Sequence, residues 1–267
     1  MPGENAGGAP RVVRRSPDPE DSVIWEPCER WVRAVKGDVT VVDSRRPLLV
    51  WEPGRPVPLY AFPEQDVRTD LLRPTARPPA GRHAGATRFY DLEAAGESVE
   101  AAAWTYPGEE LAGHISFEWF GRNVLDHWYE EDEEIFIHPR DPHKRVDALP
   151  SSRHVRVEID GTVVADTRAP VLLFETGLPV RYYIPREDVR FDLLTPESLQ
   201  TRCPYKGVAT EYWSWAAGGE SGVAWSYPEP LPAVEAVRGR VAFYNERVDI
   251  VVDGEREERP VTFFSRR

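Results

Sequence analysis

Cysteine, methionine and lysine are all scarce in this sequence, and long apolar runs are missing. There are two cysteines, Cys28 and Cys203. They could form one disulfide but not a framework, and because they lie far apart we interpret them as reduced thiols of a cytoplasmic protein. No apolar segment approaches the roughly 18 residues of a membrane span. The opening MPGENAGGAP lacks the apolar core of a secretory signal, so we expect residues 1–22 to form a disordered leader.

Long helices are also disfavoured, because the chain carries 26 prolines. Proline removes a backbone donor and interrupts helices and central strands, so short strands with many turns are expected. Hydrophobic residues make up 41% of the chain, enough to build real cores. The net charge of −12 argues against nucleic-acid binding, which depends on cations that replace phosphate counterions.

The two halves of the chain resemble each other. RWVRAVKGDVTVVDSRRPLLVWEP, from Arg30, is answered by RHVRVEIDGTVVADTRAPVLLFET, from Arg153. Further on, AAWTYP is answered by VAWSYP. This colinear matching indicates a duplication of a unit of about 115 residues, a normal domain size. We place the units at 23–137 and 152–267, with the polar segment 138–151 as a linker.

Each unit reads as a series of short strands. HVRVEI and TVVADT flank Asp160-Gly161, a typical hairpin signal. VLLFE and VRYYI predict a second hairpin that turns at Thr176-Gly177, and RVAFY and VDIVVD predict late strands. PREDVRFDLL and PAVEAV each leave room for a helical turn. The pattern predicts two tandem, compact, mainly β domains.

One stretch, TRCPYKGVATEYW from Thr201, combines a rare cysteine with a rare lysine. Lysine occurs only three times in the chain, the last time at Lys206, whereas arginine is common. The first half has GRHAGATRFYD in place of CPYKGVATEYW, so the glycine and an aromatic recur while Cys203 and Lys206 do not. His83 aligns with Tyr205. We therefore expect the recurring glycine to be needed by the fold. We expect the Cys–Lys pair to be specific to the second half.

Cys203 and Lys206 are the candidate catalytic residues. An ammonium group three residues away in a turn would favour the thiolate, and Lys206 would activate Cys203 or hold an anionic substrate. The alternative is a buried structural cysteine beside an exposed lysine.

The candidate binding residues surround the same turn. Carboxylates that recur in both halves, among them Glu52 and Glu175, suggest either a role in the fold or a site in which Glu175 and Asp188 face the Cys–Lys turn. Aromatic side chains would either fill the core or wall the pocket. The binding set consists of Glu175, Tyr183, Asp188, Tyr205, Trp225 and Tyr227.

Several chemical signatures are missing from the sequence. There is no paired CxxC and no HExxH, and His138 and His143 bracket PRDP without a third ligand nearby, so no metal site is predicted. No nucleotide or hydrolase fingerprint occurs, and no cofactor is expected. The acidic run EEDEE from Glu130 to Glu134 reads as a solvated segment, with an acidic face for a metal or a basic partner as the alternative.

The motif run GTVVADTRAPVLLFETGLPVRYYIPREDVRFDLLTPESLQTRCPYKGVATEYW, followed by AWSYP and GRVAFY, resembles the bacterial family DUF427. The first half resembles a diverged member, and the junction resembles that of the two-domain actinobacterial members. The resemblance implies a compact fold similar to the Mss4-like β-tent and no settled activity. The family also carries a nucleotidyltransferase label, which the motifs do not support, because the chain has neither a DxD pair nor a glycine-rich phosphate loop.

Three functions remain open from the sequence. The first is a module that binds a small anionic or polar metabolite in the second domain. The second is an enzyme that uses Cys203 or Lys206 as a nucleophile or anion-binding pair. The third is an acidic module that binds a basic protein partner. We expect no nucleic-acid or membrane partner, and the sequence does not give the oligomeric state.

Overall fold

The fold consists of two units with the same strand order. A computed structural model describes residues 23–79, 83, 85–119, 124–218 and 221–266. Each unit has a seven-stranded and a four-stranded antiparallel sheet, and every described strand of the first unit has a counterpart in the second. The expected mainly β fold with two similar halves is confirmed.

The first unit contains eleven described strands. Their bounds are β1 Ile24–Pro27, β2 Val32–Lys36, β3 Val39–Ser44, β4 Leu48–Trp51, β5 Leu59–Pro63, β6 Leu72–Thr75, β7 Arg88–Ala94, β8 Glu97–Thr105, β9 His114–Phe117, β10 His127–Glu130 and β11 Glu133–Ile135. The large sheet has the order β1-β4-β5-β9-β8-β7-β6, and the small sheet β11-β10-β2-β3.

The second unit repeats this arrangement and adds a hairpin. Its strands are β12 Val146–Pro150, β13 Val155–Ile159, β14 Thr162–Thr167, β15 Val171–Glu175, β16 Arg181–Ile184, β17 Leu194–Glu197, β18 Thr201–Cys203, β19 Gly207–Ala209, β20 Glu211–Trp215, β21 Ala224–Ser226, β22 Val241–Phe243, β23 Asp249–Val252 and β24 Glu255–Arg256. The sheets have the orders β12-β15-β16-β22-β21-β20-β17 and β14-β13-β23-β24, and β18-β19 pair separately.

Helical structure among the described residues is limited to short 3₁₀ turns. They span Glu64–Asp66, Thr69–Leu71, Arg186–Asp188, Phe191–Leu193, Pro232–Val237 and Phe263–Arg266. The turns expected in PREDVRFDLL and PAVEAV are therefore confirmed.

The predicted hairpins follow from their turn residues. Ile159 pairs with Thr162, so Asp160 and Gly161 form a two-residue loop between β13 and β14. Both have positive φ, 49° and 76°, the backbone that a type I′ turn requires and that Asp-Gly adopts readily. The second hairpin, β15–β16, turns where Gly177 has a φ of 79°, as predicted.

The segment predicted as a linker differs from the structure at its end. Val146–Pro150 form β12, which pairs with Val171–Glu175 as an edge strand of the second large sheet. A proline at its last residue is compatible with an edge strand, because the missing donor need not join a ladder. Part of the segment predicted as a linker is therefore a strand that pairs with the second unit.

Each large sheet has two buried faces. One face packs against the small sheet and forms the main core of its unit. The opposite, outer face carries a second apolar cluster, around Trp104 in the first unit and around Tyr183 and Trp225 in the second. Side chains alternate along a strand, so the residues between the core positions form this outer face. The candidate site lies there.

Candidate functional site

Glu175 reaches the outer face of the second unit through strand alternation. Along β15, Leu172 lies in the main core, whereas Val171 and Leu173 belong to the outer cluster. Glu175 is the next residue of the outer-face series and is 9% exposed. A carboxylate in this position requires a partner, because burying an unpaired charge is costly.

Lys206 supplies that partner from the β18–β19 hairpin. The hairpin pairs Cys203 with Gly207, and Lys206 is the last residue of the three-residue turn between them. Gly207 has a φ of 95°, and a Cβ there would lie 3.4 Å from the backbone nitrogen of Leu231, which explains the glycine. The turn brings the ammonium of Lys206 into an ion pair with Glu175.

The ion pair keeps Lys206 protonated. Burial acts to lower the pKa of Lys206, but its electrostatic interactions with Cys203 and Glu175 outweigh burial and hold the pKa above its ordinary value. A protonated amine is a poor nucleophile and a good anion-binding group. Of the two roles predicted for Lys206, the geometry favours anion binding.

Tyr183 lies on the same face and is fully buried. Burial raises the pKa of Tyr183 to about 12, so its phenol stays protonated, and the charges of Lys206, Cys203 and Glu175 act on it. Trp225 sits edge-on at 6.2 Å between ring centroids. Within the described part of the chain, the Tyr183 hydroxyl makes no hydrogen bond of normal geometry, although the Trp225 side chain acts on its pKa as a hydrogen-bond neighbour. The indole N–H of Trp225 can only donate, so the proton of the phenol still has no acceptor. Such a buried donor calls for a specific explanation.

The other predicted aromatic residues divide into two groups. Trp225 and Tyr227 are buried in the outer cluster with Tyr183, and Trp225 also packs on Tyr244 at 4.3 Å. Tyr205 contacts the segment that precedes the second unit: its hydroxyl accepts a hydrogen bond from the backbone N–H of Asp141 at 2.8 Å.

Cys203 and Asp188 occupy different places. Cys203 is a free, partly exposed thiol at the mouth of the turn, close enough to act electrostatically on Lys206, Tyr183 and Tyr227. Asp188 ends a 3₁₀ turn whose following residue, Val189, bridges to Ala165 of the small sheet. That position lies at the edge facing the small sheet, away from the Glu175–Lys206 pair.

The first unit has an equivalent buried cluster that the sequence comparison missed. Glu52, which aligns with Glu175, accepts hydrogen bonds from Tyr106 Oη at 2.6 Å and His83 Nδ1 at 3.0 Å. It also pairs with Arg55 Nε at 2.6 Å. The other ring nitrogen of His83, Nε2, lies 3.0 Å from Glu118 Oε2.

This geometry favours the charged form of His83. Both ring nitrogens face carboxylates, which only accept hydrogen bonds, and this favours a proton on each; Arg55 Nη2, a donor 3.5 Å from Nε2, acts in the opposite direction. Burial acts to lower the pKa of His83, but hydrogen bonds to Glu118 and Glu52 prevail and raise it. His83 also stacks on Trp104 with ring centroids 3.4 Å apart.

The first unit therefore kept a cationic partner for its carboxylate, although it has no lysine at that point. The alignment put Ala84, which lies outside the described residues, opposite Lys206 and treated the polar pair as lost. His83 itself could have indicated the cationic partner, because this histidine aligns one residue before Lys206. Arg55 and Glu118 have no counterpart of the same type in the second half, so no alignment could have pointed to them.

The acidic run also differs from its prediction at one residue. Glu130 is only 2% exposed, not solvated. Its carboxylate accepts hydrogen bonds from Tyr60 Oη at 2.7 Å and from Arg140, backbone N at 3.0 Å and Nε at 2.8 Å. Charge counting along the chain could not distinguish this residue from Glu131, which is exposed.

The chain is thus a tandem, mainly β protein. Each of its two units has a large sheet that carries a buried carboxylate on its outer face. A family model described as Domain of unknown function (DUF427) matches residues 24–131 and again residues 147–254. Since these matches span more than half of the chain, the protein belongs to this family, with two copies of its domain in tandem. No curated protein matches the chain.

Two features, a metal-binding cluster and a membrane-crossing helix, are missing from the described residues. These residues contain no cluster of three or more His, Cys, Asp or Glu side chains arranged to hold a metal ion. They also contain no helix that is both long and apolar enough to cross a membrane.

Proposed function

We propose that the second unit binds a small anionic or polar metabolite beside the β18–β19 turn. The observation that carries this proposal is the Tyr183 hydroxyl, a fully buried donor whose proton has no acceptor among the described residues. It lies within electrostatic range of Lys206, Glu175 and Cys203. A ligand oxygen that accepts a hydrogen bond from Tyr183 would remove the cost of leaving this group unpaired.

Charge supports an anionic or strongly polar ligand. An ammonium group offers three donors, and the structure assigns one contact of Lys206 to Glu175. The remaining donor capacity and the protonated phenol both favour an acceptor on the ligand. The buried aromatic rings of Trp225 and Tyr227 provide an apolar wall beside these polar groups, a combination typical of small-molecule sites.

An enzyme is the second candidate, and Cys203 favours it. Its thiol is partly exposed, whereas Lys206 is almost buried and paired. In this version Cys203 is the nucleophile and Lys206 stabilises the thiolate or a developing negative charge. The interaction module has no comparable support, because Glu130 of its acidic run is buried.

The test is a thermal-shift screen of nucleotides, acyl donors and sugar phosphates, because a ligand that prefers the folded state raises the melting temperature. Any hit is then titrated against Tyr183→Phe. We expect its affinity to fall about tenfold, as for a lost hydrogen bond in a dry site. The matched control is Tyr182→Phe, which loses a hydroxyl bonded to Glu257 at 2.6 Å on the core side of the same strand.

Two results would contradict the proposal. One is a complete screen without a hit. The other is a hit whose affinity is unchanged in Tyr183→Phe. Cys203→Ser distinguishes the enzyme from the binding module. If the protein is an enzyme, this variant should no longer convert the ligand found in the screen but should still bind it.

A further inference from the structure

The segment between the two units, residues 136–144, contacts both of them, and we call it the connecting segment. Its first anchor is on the first unit. Arg140 donates to the buried Glu130 through its backbone N and its Nε, and Arg30 Nη1 donates to the carbonyl of Arg140 at 2.7 Å. Because Glu130 is nearly inaccessible to water, these charge-assisted bonds hold the segment firmly in place.

The second anchor is Asp141, which is 3% exposed. Its Oδ2 lies 3.5 Å from the indole nitrogen of Trp51, the residue that precedes Glu52. Its Oδ1 accepts the backbone N–H of His143 at 2.8 Å, and His143 Nε2 contacts Glu26 at 3.0 Å. Asp141 thereby fixes the local turn of the connecting segment against the first unit.

The opposite side of the connecting segment holds Tyr205. The backbone N–H of Asp141 donates to the Tyr205 hydroxyl at 2.8 Å. The ring lies 6.0 Å from the ring of His138 and 5.8 Å from the ammonium of Lys144. The side chain is therefore contacted at its hydroxyl and on its ring. Burial raises the pKa of Tyr205, so the hydroxyl stays neutral.

Tyr205 is the residue immediately before Lys206 and two after Cys203. Its aligned residue in the first unit, His83, instead contacts the carboxylates of its own unit. The same turn position thus serves opposite purposes: in the first unit it completes the buried cluster, and in the second it ties the turn to a neighbouring segment.

We propose that Tyr205 is a positioning residue, which fixes the Cys203–Lys206 turn through the connecting segment to the first unit. The site in the second unit is then composite, since its geometry depends on residues outside that unit. The consequence for ligand binding rests on the function proposed above, but the consequence for Cys203 does not.

The test measures alkylation of Cys203 by iodoacetamide against pH in the full chain, with peptide-resolved mass spectrometry. Cys28, which is buried in the core of the first unit, is read in the same spectra and reports global opening. In Tyr205→Phe, loss of the hydroxyl contact should loosen the turn and speed alkylation of Cys203 about fivefold, the value of one hydrogen bond. The alkylation rate of each variant is compared with that of wild type at every pH.

Two further variants complete the experiment. Asp141→Asn keeps the size of the side chain but removes the charge that strengthens its hydrogen bonds to the first unit and to the local turn. It should raise the alkylation rate of Cys203 by about twofold to threefold. Tyr182→Phe, which loses a hydroxyl contact away from the turn, should leave Cys203 at the wild-type rate. If Tyr205→Phe does not fold, Asp141→Asn decides the question.

The outcomes separate the two proposals. An unchanged rate and pH profile in both variants would overturn the positioning role, as would equal acceleration of Cys28 and Cys203, which signals general loosening. A faster alkylation of Cys203 together with a ligand screen that yields no hit would support the positioning role of Tyr205. It would contradict only the proposal that the second unit binds a small ligand.

Discussion

Glu52 and Glu175 occupy the same place in the two units, yet they are neutralised by different residues. In the first unit, His83 and Arg55 supply the positive charge, and Tyr106 and Glu118 complete the cluster. In the second, Lys206 pairs with Glu175 from a hairpin. The comparison shows that the fold retains a buried carboxylate after duplication, whereas the cation that balances it can change.

The two clusters also differ in how their buried tyrosine hydroxyls are paired. In the first unit, Tyr106 donates to Glu52 at 2.6 Å. In the second, the buried Tyr183 hydroxyl lacks an acceptor among the described residues, and a partly exposed thiol stands beside it. A satisfied buried network contributes to stability, whereas an unsatisfied group costs stability and is often kept for function. The paired hydroxyl of Tyr106 is therefore expected to stabilise the first unit, and the Tyr183 hydroxyl is the one that the binding proposal uses.

The largest expected effect comes from removing the shared carboxylates. Glu52→Gln leaves Arg55 without its carboxylate partner and leaves His83 with Glu118 alone, and should lower the free energy of unfolding by about 3–5 kcal/mol. Glu175→Gln leaves one cation and should cost less. Urea denaturation monitored by tryptophan fluorescence measures both.

The control is Glu93→Gln, which removes an exposed ion pair with Arg73 and should change stability by less than about 1 kcal/mol. Equal losses for Glu52→Gln and Glu175→Gln would show that the two clusters are energetically alike and would remove the contrast.

A smaller effect, of opposite sign in the two units, is expected from the buried tyrosine hydroxyls. Tyr106→Phe deletes a hydrogen bond to a carboxylate and should cost about 1.5–3 kcal/mol. Tyr183→Phe deletes an unpaired hydroxyl and should leave stability unchanged or raise it by about 1 kcal/mol. Thermal unfolding of the two variants beside wild type provides the comparison. A clear loss of stability in Tyr183→Phe would mean that its hydroxyl is already paired in the free protein.

The smallest expected effect is a gradual change of the free energy of unfolding with pH. The pKa of His83 is raised in the folded state by Glu118 and Glu52, so its contribution is fully present below the ordinary histidine value of 6.5. That contribution is lost as pH rises through the higher folded value. Stability of wild type minus that of His83→Gln, measured from pH 5 to 9, should therefore fall with pH. His138→Gln is a useful control, because burial lowers the pKa of His138 and its difference should change in the opposite direction.

Much of the fold was predictable because it depends on local chemistry and on the repeat. Asp160-Gly161 specifies a type I′ hairpin whatever surrounds it. Gly85 and Gly207, which recur at the same place in the two halves, each have a positive φ. Val146–Pro150 was missed as a strand because a short edge strand that ends in proline has too weak a pattern.

The candidate site was predicted in part. Lys206 and Glu175 were named from rarity and recurrence, and they form an ion pair. Asp188 was named on the same ground of recurrence but lies toward the small sheet. Recurrence marks a residue that the fold needs, and it does not say on which face of the sheet the side chain lies.

By itself, the sequence determined the duplication, the mainly β class, the hairpin turns and the rarity of the lysine that pairs with Glu175. These depend on neighbours in the chain and on comparison of one half with the other. Only the tertiary structure decided that His83 lies between two carboxylates, that Glu130 is buried, and that Tyr205 contacts Asp141. Those contacts join residues between 10 and 70 positions apart, with spacings that no repeat or local pattern specifies. They exist because folded strands and turns bring distant side chains together where water is excluded and every buried charge needs a partner.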